Sequence, residues 1–347
     1  MLDSLPAAAQ FLQRQAWAEN SKATLKTESK AYFHYCSLAR VNPIPADGPQ
    51  LTLYATWLAA SGRLRSADSI KQYVSAVSVI HKLEGKSCPT PSQYGPLDQV
   101  IRGFRRLAQR PVKKSLPVTP RILANLLSSK INNTQFGITH QQQILVVFRS
   151  FSLLLFQTML RSSNLLAKGR HKVDQDRVLT WDKIHRIGDG DGIVMRFRKS
   201  KTIQNNERCQ EIPLATSDNK LICPIFALDQ LRAMYGPRSC TPGTPVFRLP
   251  TVSGGWSNMV VSDYIPFFRA RLSQMGLVAA NYSLHGFRHG SVQETLLAED
   301  NLALCQLVSD HASDAILGYA NVPADRMLGI SRRVNESLAA NLPTLIA

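Results

Sequence analysis

The stretch from Ser283 to Leu297, SLHGFRHGSVQETLL, begins an amphipathic helix whose first turn carries His285 and Arg288 three positions apart. Residues at i and i+3 share a helix face, so an imidazole and a guanidinium converge on one target. Two hydrogen-bond donors that converge suit an anion better than a hydrophobic core. Whether the rest of the chain expects an anion is first a question of charge.

The 347 residues carry 41 Lys+Arg against 24 Asp+Glu, a formal charge of +17. An excess of that size favours polyanions, with nucleic acid first. A membrane surface fits less well, because no short Lys-rich amphipathic segment stands out. The composition, 44% hydrophobic and 19% charged, is that of a globular protein, long enough for two domains that each bury a core. The six cysteines (Cys36, Cys88, Cys209, Cys223, Cys240 and Cys305) form no CxxC pair and no metal-like spacing, so reduced thiols are expected. MLDSLPAAAQFLQRQAWAEN lacks a basic segment followed by an apolar run, so no secretory signal is expected. ILVVFRSFSLLLFQTML is broken by Arg149 and reads as a buried helix, not a membrane span.

The first hundred or so residues read as helices. SADSIKQYVSAVSVIHKLEG places Ile70, Val74, Val77 and Ile80 in one stripe, with Ser66 and Asp68 as capping side chains. PLDQVIRGFRRLAQR turns Val100, Phe104 and Leu107 inward and Arg102, Arg105 and Arg106 elsewhere. From Ile101 to Arg121 there are seven basic residues and no acidic one, and Pro111, Pro117 and Pro120 stop any helix. A boundary near residue 114 therefore divides the chain into 1–113 and 114–347. The basic run suits either a solvated face with a loop or a clamp on a duplex, since one charge neutralises one phosphate.

Beyond the boundary, TPRILANLLSSK is a helix capped by Thr119 with Pro120 at its first position. A buried helix over 140–160 follows. RVLTWDKIHRI, GIVMRFRKSK and CQEIPLA then read as strands, with GDGDG as a turn. CPIFALDQLRAMYG is a helix, residues 236–257 are a Gly/Pro/Ser-rich loop, and helices run to the end. The fold class is mainly α with a small antiparallel β-sheet: an α+β second domain behind a helical first one.

Arg161, in FQTMLRSSNLLA, ends the most apolar helix just before a new helix capped by Ser162 or Ser163. A partly desolvated guanidinium there needs either a structural carboxylate or a bound anion. Lys199 and Lys201 fall at the tip of the hairpin that begins with Ile193, Met195 and Phe197. They are either an exposed basic turn or a mobile donor entering a DNA groove. His311 and Tyr319 follow in SDHASDAILGYANV. Each feature alone is ordinary; their order along the chain is the signal.

That order resembles the tyrosine recombinase (phage-integrase) family over most of the chain. LPVTPRIL, ICPIFAL, LHGFRHG and HASDAILGY look like segments of its eukaryotic mobile-element branch, of the Crypton and DIRS kind. The resemblance implies a helical core-binding domain over 1–113 that clamps DNA and a catalytic domain over 114–347. Carried over position by position, Arg161 and Arg288 match the two family arginines and His285 opens the HxxR box. His311 matches the site holding His or Trp, Lys201 the hairpin lysine with Lys199 its rival, and Tyr319 the nucleophile. Three departures stand out. Asn164 replaces a usual acidic residue, His289 follows Arg288 where the eukaryotic branch often has Arg, and His311 and Tyr319 are eight apart, a spacing common in that branch.

The implied function is a site-specific DNA recombinase or integrase of a mobile element, cutting and rejoining strands through a 3′-phosphotyrosine without metal, ATP or other cofactor. The chemistry suits the residues. A phenolate is both nucleophile and adequate leaving group, arginine forks hold two phosphate oxygens at once, and a lysine protonates the departing 5′-oxygen. No carboxylate cluster for Mg²⁺ is evident in the sequence. Double-stranded DNA is the partner, with Lys71, Arg102, Arg105, Arg106, Lys113, Lys114 and Lys199 expected on backbone phosphates. The family implies a homo-oligomer, a dimer on one site and a tetramer on paired sites. The tail ADRMLGISRRVNESLAANL either exchanges between neighbours or packs on its own domain. The expected location is nuclear in a eukaryotic host, otherwise cytoplasmic at the nucleoid, without secretion. A DNA-binding copy that no longer cuts and a type IB topoisomerase are the alternatives.

Overall fold

The computed structural model describes residues 19–64, 66–108, 115–128, 138–188, 191–198, 209–298 and 324–341. The chain divides into two compact units, Met1–Val112 and Lys113–Ala347. Among the described residues no helix is long and apolar enough to cross a membrane.

Among the described residues the first unit has the helices α1 (Glu19–Ala39), α2 (Gly48–Ala60), α3 (Ala67–Leu83) and α4 (Gly95–Ala108). Tyr32, Tyr35, Leu51, Tyr54, Leu58, Ile70, Val74, Val77, Leu97 and Ile101 close its core. Tyr32 meets Tyr54 edge-on at 5.1 Å between ring centres, a favoured aromatic geometry. The stripe of α3 is inward, as its spacing predicts, with Ile80 partly covered. Ser66 caps α3 by accepting from the Ser69 N–H at 3.1 Å. Asp68, expected to cap as well, instead reaches Arg105 of α4 at 2.7 Å. The inward face of α4 is also shifted. Leu97 and Ile101 are buried, Val100 and Phe104 are partly buried, and Leu107 is 85% exposed. The core ends one turn before Leu107, so the last apolar position of the stripe has nothing to pack against.

His81 is fully buried and ties α3 to the segment before α2. Its Nε2 accepts from the Ala46 N–H at 2.8 Å. Its Nδ1 lies 2.8 Å from the Val77 carbonyl. A carbonyl only accepts, so Nδ1 carries the proton and the ring is the neutral Nδ1–H tautomer.

The second unit is α+β. Among the described residues its helices are α5 (Pro120–Ser128), α6 (Ile138–Gln157), α7 (Ser162–Leu165), α8 (Pro224–Tyr235), α9 (Val261–Gln274), α10 (His285–Ala298) and α11 (Ala324–Asn341). Strands β1 (Ile184–Ile187), β2 (Gly192–Phe197) and β3 (Gln210–Ala215) form an antiparallel sheet in sequence order. Ile193 faces Leu214 and Met195 faces Ile212. Helix α6 is the axis of the core. Val147, Phe151, Leu153, Leu154, Leu155 and Phe156 are buried on more than one face, which marks a helix surrounded by protein. The Thr119 hydroxyl caps α5 by accepting from the Ile122 N–H at 3.4 Å, with Pro120 at the first helical position. Tail helix α11 packs on its own unit: its Ser331 hydroxyl accepts from the Ala215 N–H of β3 at 3.0 Å, and Val334 and Leu338 enter the core.

The stretch 236–257, expected to be a loop throughout, contains a short 3₁₀ turn (Pro237–Ser239) and a strand, β4 (Arg248–Pro250). That strand pairs antiparallel with β5 (Trp256–Asn258). Strands of three residues are too short to show alternation, and Pro250 argues against a strand except at an edge. The hairpin closes through the Thr251 N–H on the Gly255 carbonyl at 2.8 Å, with Gly254 at φ +84°.

Two glycines of α10 allow close backbone contact with the segment Ser115–Val118, which crosses that helix as a strap. A Cβ at Gly286 would stand 2.5 Å from the Leu116 carbonyl oxygen, and one at Gly290 would stand 1.8 Å from that of Val118. Gly290→Ala is therefore expected to lower stability by about 1–3 kcal/mol or more, as overpacking against backbone does. Gly103→Ala, where nothing lies within 4 Å of the added methyl, is expected to stabilise by roughly 0.5–1 kcal/mol. Denaturant midpoints of the two variants, moving in opposite directions, check this.

Candidate active site

The site is assembled where α6 ends, α7 begins and α10 starts. Helix α6 stops because Met159 adopts the left-handed conformation, φ +53°, which costs an L-residue about 1–2 kcal/mol. Its N–H returns to the Phe156 carbonyl at 3.2 Å, and the Thr158 hydroxyl closes on the Leu154 carbonyl at 2.6 Å. The reversed backbone presents the Met159 carbonyl to α10, where the Arg288 guanidinium donates to it through Nη1 at 2.8 Å. Arg288 is 3% exposed. A buried cation needs hydrogen-bond acceptors around it, and a carbonyl supplies one without cancelling the charge. The Thr295 hydroxyl, one α10 turn beyond Ser291, meets the Met159 sulfur at 3.6 Å.

Two residues after Met159 comes Arg161. It occupies the N-cap position of α7, in extended conformation, and no side chain caps that helix. This corrects the expectation that Ser162 or Ser163 would cap it; both are helical residues of a single short turn. Among the described residues no carboxylate pairs with Arg161. The structural ion pair considered from sequence is thus absent among them.

His285 is exposed at the first turn of α10. Its imidazole titrates below the ordinary histidine range. Partial burial of the ring is the main cause, followed by the positive fields of His289, Arg288 and Arg161. The last three name the neighbourhood: both arginines and a second histidine act on one imidazole. The His289 ring stands edge-on to that of His285, 4.5 Å between centres at 63°. Arg288 is thus bonded to the carbonyl two residues before Arg161, and both guanidiniums act electrostatically on His285.

Asn164 is 2% exposed. Its backbone N–H returns to the Arg161 carbonyl at 2.8 Å, and its own carbonyl accepts from Leu179 N–H at 2.7 Å. Its side-chain amide donates to the Arg177 carbonyl at 3.5 Å. A carboxylate could not make that last bond, so the amide has a structural partner of its own.

Tyr319, His311, Lys201, Lys199, Lys113 and Lys114 lie outside the described residues. On the first unit, Lys71 and Arg106 are exposed. Arg102 pairs with Asp98 and Arg105 with Asp68, both at 2.7 Å and both exposed; such surface pairs are weak and readily exchanged. Sequence reasoning did not find Met159, Ser115 or Ser283, and it noted His289 only as a departure. A signal for one of them was present: Gly286 and Gly290, four apart, mark a helix face approached by backbone.

No family model and no curated protein matches the chain. Among solved structures, the Tn1549 transposon integrase in complex with transposon right end DNA is 16% identical, with a TM-score of 0.52 over 96% of this chain and 98% of that one. The same integrase in complex with circular intermediate DNA gives 16% identity and a TM-score of 0.52 over 95% and 97%. The integrase from mycobacterium phage Brujita aligns over 98% of both chains at 16% identity with a TM-score of 0.37. The fold of this chain, mainly helical with small antiparallel sheets, is thus that of the Tn1549 integrase.

Proposed function

We propose that this chain is a tyrosine-recombinase-type DNA strand transferase, a site-specific recombinase of a mobile element of the Crypton/DIRS-like eukaryotic branch. The observation that carries the reading is the convergence of Arg161, Arg288 and His285 in one positive field. It stands in a fold shared with an integrase solved on DNA. A scissile phosphate is the natural occupant of such a field. Its non-bridging oxygens gain charge as phosphorus becomes five-coordinate, and charge-assisted hydrogen bonds from two guanidinium groups and an imidazole stabilise that gain.

In this reading the Tyr319 oxygen attacks the phosphorus as its proton passes to water, and the P–O5′ bond breaks. The 5′-oxygen takes a proton from Lys201, with Lys199, two residues earlier, its rival, and His311 adds a further hydrogen bond to the phosphate. The 3′-phosphotyrosine keeps the energy of the phosphodiester. Attack by the 5′-hydroxyl of a partner strand therefore rejoins DNA and restores the phenol without ATP or metal. Lys71, Arg102, Arg105, Arg106, Lys113 and Lys114 hold backbone phosphates, with sequence-independent, salt-sensitive affinity. Lys26 and Lys30, exposed and four apart on α1, extend that set. The working form is a dimer on one site and a tetramer on two.

The test is covalent capture from a randomised pool of nicked duplexes, in which cleavage near the nick releases a short fragment and traps the protein. DNA that stays attached in boiling detergent, and disappears with Tyr319→Phe, is the expected result. Retarded DNA without any adduct would make the chain a binding protein that does not cut. Site-independent relaxation of supercoiled plasmid at low protein concentration would make it a topoisomerase. Arg161→Ala is expected to cut adduct formation by on the order of 10²–10³-fold, the loss seen when a transition-state donor is removed.

The Asn164 amide also bears on activity. Because it donates to the Arg177 carbonyl, Asn164→Asp would set two acceptors against each other. It is expected to destabilise the second unit by about 1–3 kcal/mol and not to raise the cleavage rate. A rate gain without loss of stability, measured by adduct formation and denaturant titration, would show that Asn164 impairs the site.

A further inference from the structure

Ser115 grips the first turn of α10 from two sides. Its hydroxyl accepts from the Ser283 N–H at 3.0 Å and from the Ser283 hydroxyl at 2.9 Å. The Ser283 hydroxyl in turn accepts from the His285 backbone N–H at 3.3 Å. On the other side, the Ser115 carbonyl lies 3.3 Å from Nδ1 of His289. Since a carbonyl only accepts, His289 is the donor and carries its proton on Nδ1. That bond fixes the ring whose edge contacts His285. The backbone of the strap is sewn down as well: Leu116 N–H donates to the Asn281 carbonyl and Val118 N–H to that of Gly286, both at 2.8 Å. Gly286 and Gly290 leave no room for the strap to be lifted by a side chain.

We propose that Ser115 and His289 are positioning residues, holding the His285 imidazole from its backbone and its ring face so that it meets the anion in one orientation. The role assigned to His285 rests on the function proposed above; the positioning itself does not. Ser115 lies two residues after the start of the second unit at Lys113, so the strap ties the start of the unit to its HxxR turn. Among the described residues, the charged groups acting on His285 are His289 and Arg288 from its own helix and Arg161 from the head of α7. The strap and the loop before α10 contribute the hydroxyls of Ser115 and Ser283 and the Ser115 carbonyl. His289 and both arginines act in one direction, against a charged His285.

The test uses the full chain with ¹³C-labelled histidine, the His285 signal being assigned by its loss in His285→Asn. His289→Asn keeps an N–H for the Ser115 carbonyl but removes the neighbouring imidazole. His289→Phe keeps a ring against His285 but removes the bond to Ser115. In both variants the His285 titration midpoint is expected to move upward. In cleavage assays, His289→Phe and Ser115→Ala are expected to lose roughly tenfold in rate constant, as loss of orientation does, with DNA affinity unchanged. His289→Asn is expected to recover most of that loss. An unmoved His285 midpoint in both variants overturns the proposal, as does His289→Asn being as slow as His289→Phe. Should no variant or parent chain cleave DNA while the midpoint moves as stated, the positioning stands and the recombinase reading fails.

Discussion

The bond between the Arg288 guanidinium and the Met159 carbonyl, 2.8 Å long and buried, is the constraint on which the candidate site depends. It joins the end of α6 to the first turn of α10 across 129 residues of sequence. It also explains why a methionine is held at positive φ, a conformation worth about 1–2 kcal/mol of strain. Without the reversal at Met159, α6 would run on, Arg161 would lie on a helix face, and Arg288 would lose an acceptor. A carbonyl is a suitable partner for a functional arginine, because it orients the guanidinium and leaves the positive charge for an incoming anion.

Around that bond the rest of the second unit acts as a mount. Helix α6 is buried on several faces, so its end cannot move far without opening the core. The Ser115–Val118 strap lies against Gly286 and Gly290 at distances that exclude any side chain. It thereby fixes α10 at Gly290, where the Phe156 ring of α6 also closes in. Tail helix α11 adds a third tie: Gln157, the last residue of α6, donates to Asn335, whose amide donates to the Ala215 carbonyl of β3 at 3.4 Å. Rigid support of this kind is what holding donors at a developing charge requires.

Much of this was legible in the sequence where the signal is local. The i, i+3 spacing of His285 and Arg288, the apolar run of α6, the stripe of α3 and the Thr119–Pro120 helix start are all short-range patterns, and each has its counterpart in the fold. What was not legible depends on partners far away in the chain. Leu107 fits its helical stripe, yet the core ends before it. Strands β4 and β5 are too short for alternation and contain Pro250. Asp68 is as good a capping residue as Ser66 by type, but Arg105 lies within its reach. Nothing in the identity of Met159 announces a left-handed residue. Ser115 acquires its meaning only from Ser283 and His289, 168 and 174 positions later.

The central claim is that Arg161, Arg288 and His285 share one phosphate charge. It is tested most directly on a duplex, identified by covalent capture, in which a methyl group replaces one non-bridging oxygen of the scissile phosphate. If Arg161 serves that charge, its replacement by alanine slows cleavage of the neutral linkage far less than cleavage of ordinary DNA, the penalty shrinking by about tenfold or more. An equal penalty on both substrates would contradict the claim and leave Arg161 a role in folding or general DNA affinity.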